Sequence, residues 1–475
     1  MPSVDAVIIG SGPNGLAAAV TLALAGRSVV VYEHGEHIGG GLRSGPLGEE
    51  GFIHDLCASV HPLGVASPFF RSLTEQGLLP DRWRFAEVEI AHPLDGGHAG
   101  IASANLADTA AGLGPDGRRY QRLVGPVADS MDELLLDVLR PPLASRPRSP
   151  RALATLGIRS PWPATWLFRL FQTEEARGLL AGCAAHSIMA LSRPATSAFA
   201  VLFAATAHSR RWPLVSGGSG RLAEDLAAII HANGGRLETS TTITSLGQLP
   251  PHRVALFDTN PAQVATIAHD RLSNRDRRRL TAFRHGPGVF KLDYTLDGPI
   301  PWTHPDCRRA LTVHVGGTAA EVAAAEGEMA RGRHADRPFV LAVQPTLADP
   351  DRAPEGKGIL WAYCHVPAHS TIDMTDRIEA QIERFAPGFR DLVRTRTVTT
   401  PTALEARNPN CVGGDIGGGA MTGTQLLLRP SRTRHPYDTS NPGVFLCSAS
   451  ASPGAGVHGM AGHHAANRVL ATVLA

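Results

Sequence analysis

Apolar residues at the start of the chain are spaced to predict a strand, a helix and a second strand. Residues 4–9 (Val-Asp-Ala-Val-Ile-Ile) read as a short buried strand. Gly10-Ser-Gly12-Pro13-Asn14-Gly15 follows at once, and small apolar residues then predict a helix from Asn14 to about Ala25. Gly26 ends that helix, Ser28 to Tyr32 reads as a second strand, and Glu33 closes it. Further on, Leu222 to Ala232 has a helical period and Arg236 to Leu246 reads as strand. Gly288–Leu296, Ala310–Gly316 and Phe339–Pro345 alternate or run apolar like strands. Thr375 to Val393 reads as a helix broken by Pro387-Gly388, and the Pro- and Arg-rich stretch Arg140 to Pro163 as an exposed loop. Pro442 to Ser448 predicts a turn and a buried strand, after which the glycine-rich run Ser452 to Met460 opens a helix reaching about Leu474.

The first of these patterns carries chemistry. Gly10 permits a tight turn, Gly12 lets the backbone approach a diphosphate, and Gly15 lets helix and strand pack closely. The helix N-terminus offers unpaired N–H groups and a positive dipole end to phosphate. Glu33 stands 21 residues after Gly12, where a carboxylate can accept both ribose hydroxyls of an adenosine. Any one of these features is weak in a chain with 50 glycines; strand, motif, helix, strand and acid in the right order are much stronger. The glycine-rich turn at Ser452 to Met460 is a second anion-type site by the same N–H and dipole argument.

Composition narrows the class. The chain has 475 residues, 43% hydrophobic and 19% charged, which is ample for a large core and excludes a disordered or collagenous polypeptide. A formal net charge of +2 does not favour a nucleic-acid partner. Basic charge is nearly all arginine, since only Lys291 and Lys357 are lysines. The six cysteines form no CxxC pair, which predicts free thiols in a reducing, cytoplasmic compartment. The apolar stretch Leu16 to Ala25 has Asp5 and no Lys or Arg before it, the wrong flank for a secretion signal. Ala198 to Ala207 is about half the length of a spanning helix. The reading is therefore a soluble protein, or at most one peripheral to a membrane.

The residues after Glu33 separate the cofactor choices. Ile38-Gly39-Gly40-Gly41-Leu42-Arg43 resembles the second glycine cluster of glutathione-reductase-like FAD enzymes, where a backbone turn and an Arg meet the FAD phosphates; otherwise it is a surface turn with a solvated Arg. Pro453-Gly-Ala-Gly456-Val457-His458-Gly-Met resembles the C-terminal FAD motif of carotenoid (phytoene) desaturases and their relatives. Desaturases proper usually carry Pro where His458 stands. With Asn408 to Met421, the His form is more similar to the phytoene-desaturase-related FAD oxidoreductases. Gly51-Phe-Ile-His-Asp55, Ser59-Val-His-Pro62, Pro213 to Gly220, Val289-Phe-Lys291 and Phe385 to Phe389 match as well, so the resemblance spans the chain. One departure is that Ala449 and Ser450 stand where many flavoenzymes place a ribityl-binding carboxylate.

The resemblance implies an α/β fold: a glutathione-reductase-like FAD-binding Rossmann domain (residues 1–70, 214–285 and 431–475) interleaved with an α+β substrate domain (71–213 and 286–430). It implies FAD held by Gly10, Gly12, Pro13, Asn14, Gly15, Glu33, Gly40, Gly41, Arg43, Gly456 and Val457, with adenine on the backbone of Ile243. Only one GxGxxG unit is present, so no second domain for NAD(P)H is expected. The implied activity is an FAD-dependent dehydrogenase or desaturase that passes a hydride from a C–H of a largely apolar small molecule to flavin N5. An amine oxidase is the alternative within enzymes. A non-catalytic binding protein on the scaffold of the Rab GDP-dissociation inhibitors is the alternative outside them. Substrate, electron acceptor and oligomeric state stay open.

Other residues have two readings each. His458 is a candidate acid or base beside the flavin, or a turn histidine satisfied by backbone. Lys291 could hold a water near flavin N5, as in amine-oxidase relatives, or be a salt-bridged Lys. His61 and Asp55 edge the flavin or make turn contacts. Arg271 to Arg284 is a basic amphipathic pattern with Leu272, Leu280 and Phe283 on its apolar side, read as a solvated face or a membrane anchor. Trp162, Trp166, Leu167, Phe168, Leu170 and Phe171 form an aromatic patch for a membrane interface, an apolar tunnel or a helix core. His463 and His464 lack the one-face spacing of metal ligands, and no metal is expected.

Overall fold

The computed structural model describes residues 3–475 and holds two main sheets. The strands, in chain order, are β1 (Val4–Ile9), β2 (Val29–Tyr32), β3 (Val88–Pro93), β4 (Ala99–Ala102), β5 (Arg236–Glu238) and β6 (His252–Phe257). They continue with β7 (Gly288–Leu296), β8 (Ala310–Val315), β9 (Val340–Val343), β10 (Gly358–Val366), β11 (Val393–Thr399) and β12 (Val444–Leu446). The helices used below are α1 (Pro13–Leu24), α2 (Glu174–Ala185), α3 (Thr196–Ser209), α4 (Gly220–Ala232) and α5 (Met460–Leu470).

The first sheet has the order β12-β6-β1-β2-β5 and every pair is parallel. Its central strand β1 is buried along nearly its whole length, which is why it reads as an apolar run and not as an alternation. Helices α1, α4 and α5 pack together at this sheet. The approach of α1 and α5 is unusually close. A Cβ on Gly462 would lie 1.8 Å from the carbonyl oxygen of Asn14, so only glycine lets these helices touch there.

The second sheet has the order β11-β7-β10-β9-β8-β3-β4, antiparallel except where β3 runs parallel to β8. Every residue of β7 and β10 is buried. Two of these seven strands (β3 and β4) precede α2 and the other five (β7 to β11) follow α4, and the sheet carries its own core of Phe290, Leu292, Trp302, Val313, Leu360 and Phe385 among others.

Several elements differ from the sequence reading. The strand read over Arg236 to Leu246 is regular only to Glu238. Beyond it Ser240 takes a left-handed φ of 51°, and the Ser240 and Thr241 amides donate to Gly35 and Glu33 carbonyls, so the chain leaves the sheet to line the crevice. The helix read over Thr375 to Val393 stops at Phe385, since Pro387 supplies no amide; residues 393–399 then form β11. The exposed stretch Arg140 to Pro163 contains a helix, Pro150–Gly157. The C-terminal helix starts at Met460, where the glycine-rich run ends, and stops at Leu470, earlier than the sequence reading has it.

Candidate functional site

A cavity of about 880 Å³ lies between the two sheets. Its first wall is mostly backbone. Gly10, Ser11, Gly12, Pro13 and Asn14 line it where β1 turns into α1, and Gly40, Gly41 and Arg43 line it beside them. Gly10 has φ +97°, and a Cβ on Gly15 would stand 2.1 Å from the Gly10 carbonyl oxygen, so the turn closes directly behind the helix N-terminus. Gly15 therefore does not itself line the cavity; it permits the turn that does. The α1 N-terminus has Gly12 as its cap residue with no side-chain cap, which leaves amides facing the crevice.

The end of the cavity at β2 is equally defined. The Glu33 carboxylate closes β2, accepts the Ser11 amide at 2.9 Å and hydroxyl at 2.5 Å, and takes the Gly35 amide at 2.8 Å on its other oxygen. Ile243 and its neighbours Thr241, Thr242 and Thr244 line the cavity near this end. Arg43 also lines the cavity, with its guanidinium held by the Gly40 carbonyl at 3.0 Å and the Arg407 carbonyl at 2.6 Å. Ala455, Gly456 and Val457 reach the same cavity from the other end of the sequence. A glycine turn that excludes any Cβ, an uncapped helix N-terminus and a carboxylate at the end of the second strand together fit an adenine dinucleotide.

His458 sits elsewhere. It is fully buried, does not line the cavity, and its Nδ1 accepts the Met460 amide at 3.0 Å. Burial pushes its imidazole down to about 4. The catalytic reading of His458 is therefore corrected: packing behind the turn makes it a neutral cap of α5. His463 contacts Thr21 of α1 at 3.0 Å through its Nδ1.

The second wall consists of side chains from the second sheet. Register places Lys291, Tyr363 and Leu341 directly opposite one another on β7, β10 and β9, and all three line the cavity. Trp361, two residues before Tyr363, falls on the same face, as the period of a strand requires. Lys291 is buried, ion-paired with Asp293, and its Nζ stands 5.4 Å from the Trp361 ring centroid. Burial raises the Asp293 carboxyl despite the pull of Lys291. Beyond these lie His186, Phe203 and Trp212, packed as stacked and edge-to-face rings. Burial drives His186 down to about 3 and His314 well below its usual value, so this end is uncharged although the two rings meet at 3.0 Å. Thr312 faces the cavity with its hydroxyl buried and unpartnered.

Asp55 and His61 divide between the two readings open to them. Asp55 does not line the cavity; it binds Arg352 at 2.6 Å, Ser44 and Ser59 at 2.7 Å each, and the Ser219 amide at 2.7 Å. Burial alone would raise its carboxyl, but Arg352 and these hydrogen bonds hold it at about 2. His61 does line the cavity, bonded to the Ser219 hydroxyl at 2.7 Å and pushed to about 4 by burial. The Arg271 to Arg284 segment forms a helix over Asn274–Thr281, and its apolar side chains Leu280 and Phe283 close part of the cavity.

Two features of the site escape sequence reasoning. Asp258 follows β6 and lines the cavity, and its carboxylate accepts the Gly15 amide at 2.8 Å. Burial pushes its carboxyl up to about 7. An acid at the carboxyl end of a parallel strand is where a doubly wound sheet places ligand contacts, and recognising β6 would have exposed it. The other is a thiol pair. Cys57 and Cys411 both line the cavity, and the Cys411 thiol, with Lys291, Arg43 and Arg407 nearby, outweighs burial and draws the Cys57 thiol down to about 7. No spacing signal joins residues so far apart. Nearby, Asn410 ties the Asn408-Pro-Asn motif to the same place, donating to the Asp258 carbonyl at 2.9 Å and accepting the Asn260 amide at 2.8 Å.

Residues 8–75 match the model of an NAD(P)-binding Rossmann-like domain. Over 98% of its length the chain is 24% identical to pyridine nucleotide-disulfide oxidoreductase domain-containing protein 2 of Rattus norvegicus, covering 93% of that protein. It is also 24% identical, over 98% of its length and 97% of the relative, to hydroxyneurosporene desaturase of Cereibacter sphaeroides. The fold is similar to that of an oxidoreductase from Methanosarcina mazei, with a TM-score of 0.65, 16% identity, and coverage of 98% of this chain and 100% of that one.

Proposed function

We propose that the chain, similar over nearly its whole length to a hydroxyneurosporene desaturase, is an FAD-dependent dehydrogenase or desaturase acting on a largely apolar small molecule. The observation that carries this reading is one continuous cavity with a backbone wall suited to a dinucleotide and an aromatic wall suited to an apolar substrate. FAD bound there would supply hydride acceptance at N5, chemistry that no amino-acid side chain provides.

In this reading the chain's own residues bind, orient and exclude water. The α1 amides and the Gly10–Gly12 turn hold the diphosphate, and Glu33 holds the adenosine ribose. Asp258 lies beside those amides and stays protonated when a dianionic diphosphate shares the crevice, consistent with its raised carboxyl. Phe203, Trp212, Leu341 and Trp361 remove water from the substrate and fix its approach. The Thr312 hydroxyl is free to hold a single polar group on the substrate. Lys291, ion-paired with Asp293, is the candidate to hold a water that takes the substrate's proton.

The purified protein is expected to be yellow, with the two absorption bands of a flavin, and to bleach anaerobically with apolar substrates that carry an oxidisable C–H bond. A colourless protein that cannot take up FAD would return the fold to a binding role like that of the GDP-dissociation inhibitors. Bleaching by primary amines alone would favour the amine oxidase.

A further inference from the structure

We propose that the surface formed by residues 143–170 docks the protein on an anionic lipid bilayer. Two of the six tryptophans are more than half exposed, and both are here: Trp162 at 51% and Trp166 at 52%, stacked with ring centroids 5.8 Å apart. Ile158 is 70% exposed and Leu170 55%. Exposed aromatic and aliphatic side chains gathered within residues 158–170 mark a contact surface, and tryptophan favours the headgroup level of a membrane.

The patch is rigid. Leu167, Phe168 and Phe171 are buried beneath it. The Ala164 amide donates to the Thr196 hydroxyl at 2.8 Å, and the Ser197 amide to the Trp162 carbonyl at 3.2 Å, so the loop is bolted to the start of α3. Trp162 and Trp166 point outward while their sequence neighbours fill the core.

Charge selects the occupant. Residues 138–173 contain six arginines and no Asp or Glu, in a chain whose net charge is only +2. Of these, Arg146, Arg148, Arg151 and Arg169 are exposed and make no salt bridge among the described residues. A second copy of the chain across a two-fold axis would bring these arginines against themselves, so self-association is disfavoured. Anionic headgroups satisfy the arginines and the interfacial region receives the tryptophans at once. Among the described residues no helix is long and apolar enough to cross a membrane, so the contact is with the surface. Behind the patch, α3 carries Phe199 stacked on Phe203, and Phe203 lines the cavity. A bilayer-dissolved substrate would thus meet the protein one helix from the aromatic wall. That last point rests on the proposed function; the docking does not.

The test is flotation of the flavin-loaded protein with phosphatidylcholine vesicles, with and without about one third phosphatidylglycerol. Binding is expected only with the anionic lipid, and it should weaken as salt is raised. W162S/W166S should bind at least about tenfold more weakly, and R146S/R148S/R151S about a hundredfold, near fivefold per charge, with melting temperature and flavin content unchanged. On the unaltered protein, amide exchange over residues 143–170 should slow when anionic vesicles are added, a readout that survives if a variant fails to fold. Failure to float, equal binding of neutral vesicles, no loss in either variant, or no protection of 143–170 would each overturn the proposal. So would a dimer that dissociates in W162S/W166S and never binds vesicles, which would make the patch a protein interface.

Discussion

The cavity has two walls made of different things. One is mostly main chain: Gly10 to Gly12, Gly40 and Gly41, and Gly456 and Val457, with no room for a Cβ at Gly10, Gly12 or Gly40. The other is side chain: Lys291, Tyr363, Trp361, Phe203 and Trp212, brought together by strand register and helix packing. In the proposed function a ligand part common to a whole fold class, a diphosphate, would be met by backbone, which every sequence possesses. A part that varies between relatives is met by side chains, which can change without moving the frame.

The sharpest break would come at the first wall. Gly15→Ala puts a methyl 2.1 Å from an immovable carbonyl, a larger clash than the overpackings that cost about 1–3 kcal/mol. We expect colourless, strongly destabilised protein, read by flavin absorbance per chain and thermal melting. A yellow, stable variant would mean that the turn is looser than described.

Acid should come next and act well beyond the cavity. Burial holds His54, His61, His92, His208, His458 and His463 near 4 and His186 near 3, against 6.5 when exposed. Their folded pKa values lie below their unfolded ones, so the unfolded chain binds more protons between about pH 6.5 and 4. Stability is full above that window and falls as pH drops through it, by up to about 1.4 kcal/mol per histidine per pH unit. Asp55, held at about 2, adds a loss only below about pH 4. Melting temperatures that stay flat from pH 7 to 4.5 would contradict the burial of these rings.

Glu33→Gln should weaken flavin binding about thirtyfold, the scale of a hydrogen bond to a charged group near 2 kcal/mol. It should leave the rate of substrate reduction in the loaded fraction unchanged. Lys291→Met should do the reverse: full flavin content and a reduction rate lower by about a hundredfold if it handles the proton. If Lys291→Met came out colourless, or Glu33→Gln slowed the loaded enzyme, the division of labour between the walls would fail. The smallest effect is on reactivity. Alkylation of Cys57 should rise with a midpoint near pH 7 while Cys411 stays inert; a midpoint above 8 would mean that the neighbouring cations do not reach it.

This difference also explains what was readable in advance. The β1–α1–β2 unit, Glu33 and the two later glycine turns were legible because each residue's reason is local: a turn, a helix start, a strand end. Tyr363 and Trp361 were not, since their position beside Lys291 follows from pairing with a strand about 70 residues away in sequence. Asp258 was missed with its strand β6, whose neighbours on either side come from opposite extremes of the sequence. His458 misled because a helix-opening histidine looks the same in sequence whether it faces a ligand or, as here, the helix behind it.

The contact of Gly462 with Asn14 has a consequence for biogenesis. A ribosome makes the β1–α1 turn long before the helix that braces it, because the two lie hundreds of residues apart in the sequence. Until then the nascent turn is half a vessel and should not retain its coenzyme. Ligand retention should thus wait for α5, and a translation product that stalls short of it would be left for proteolysis.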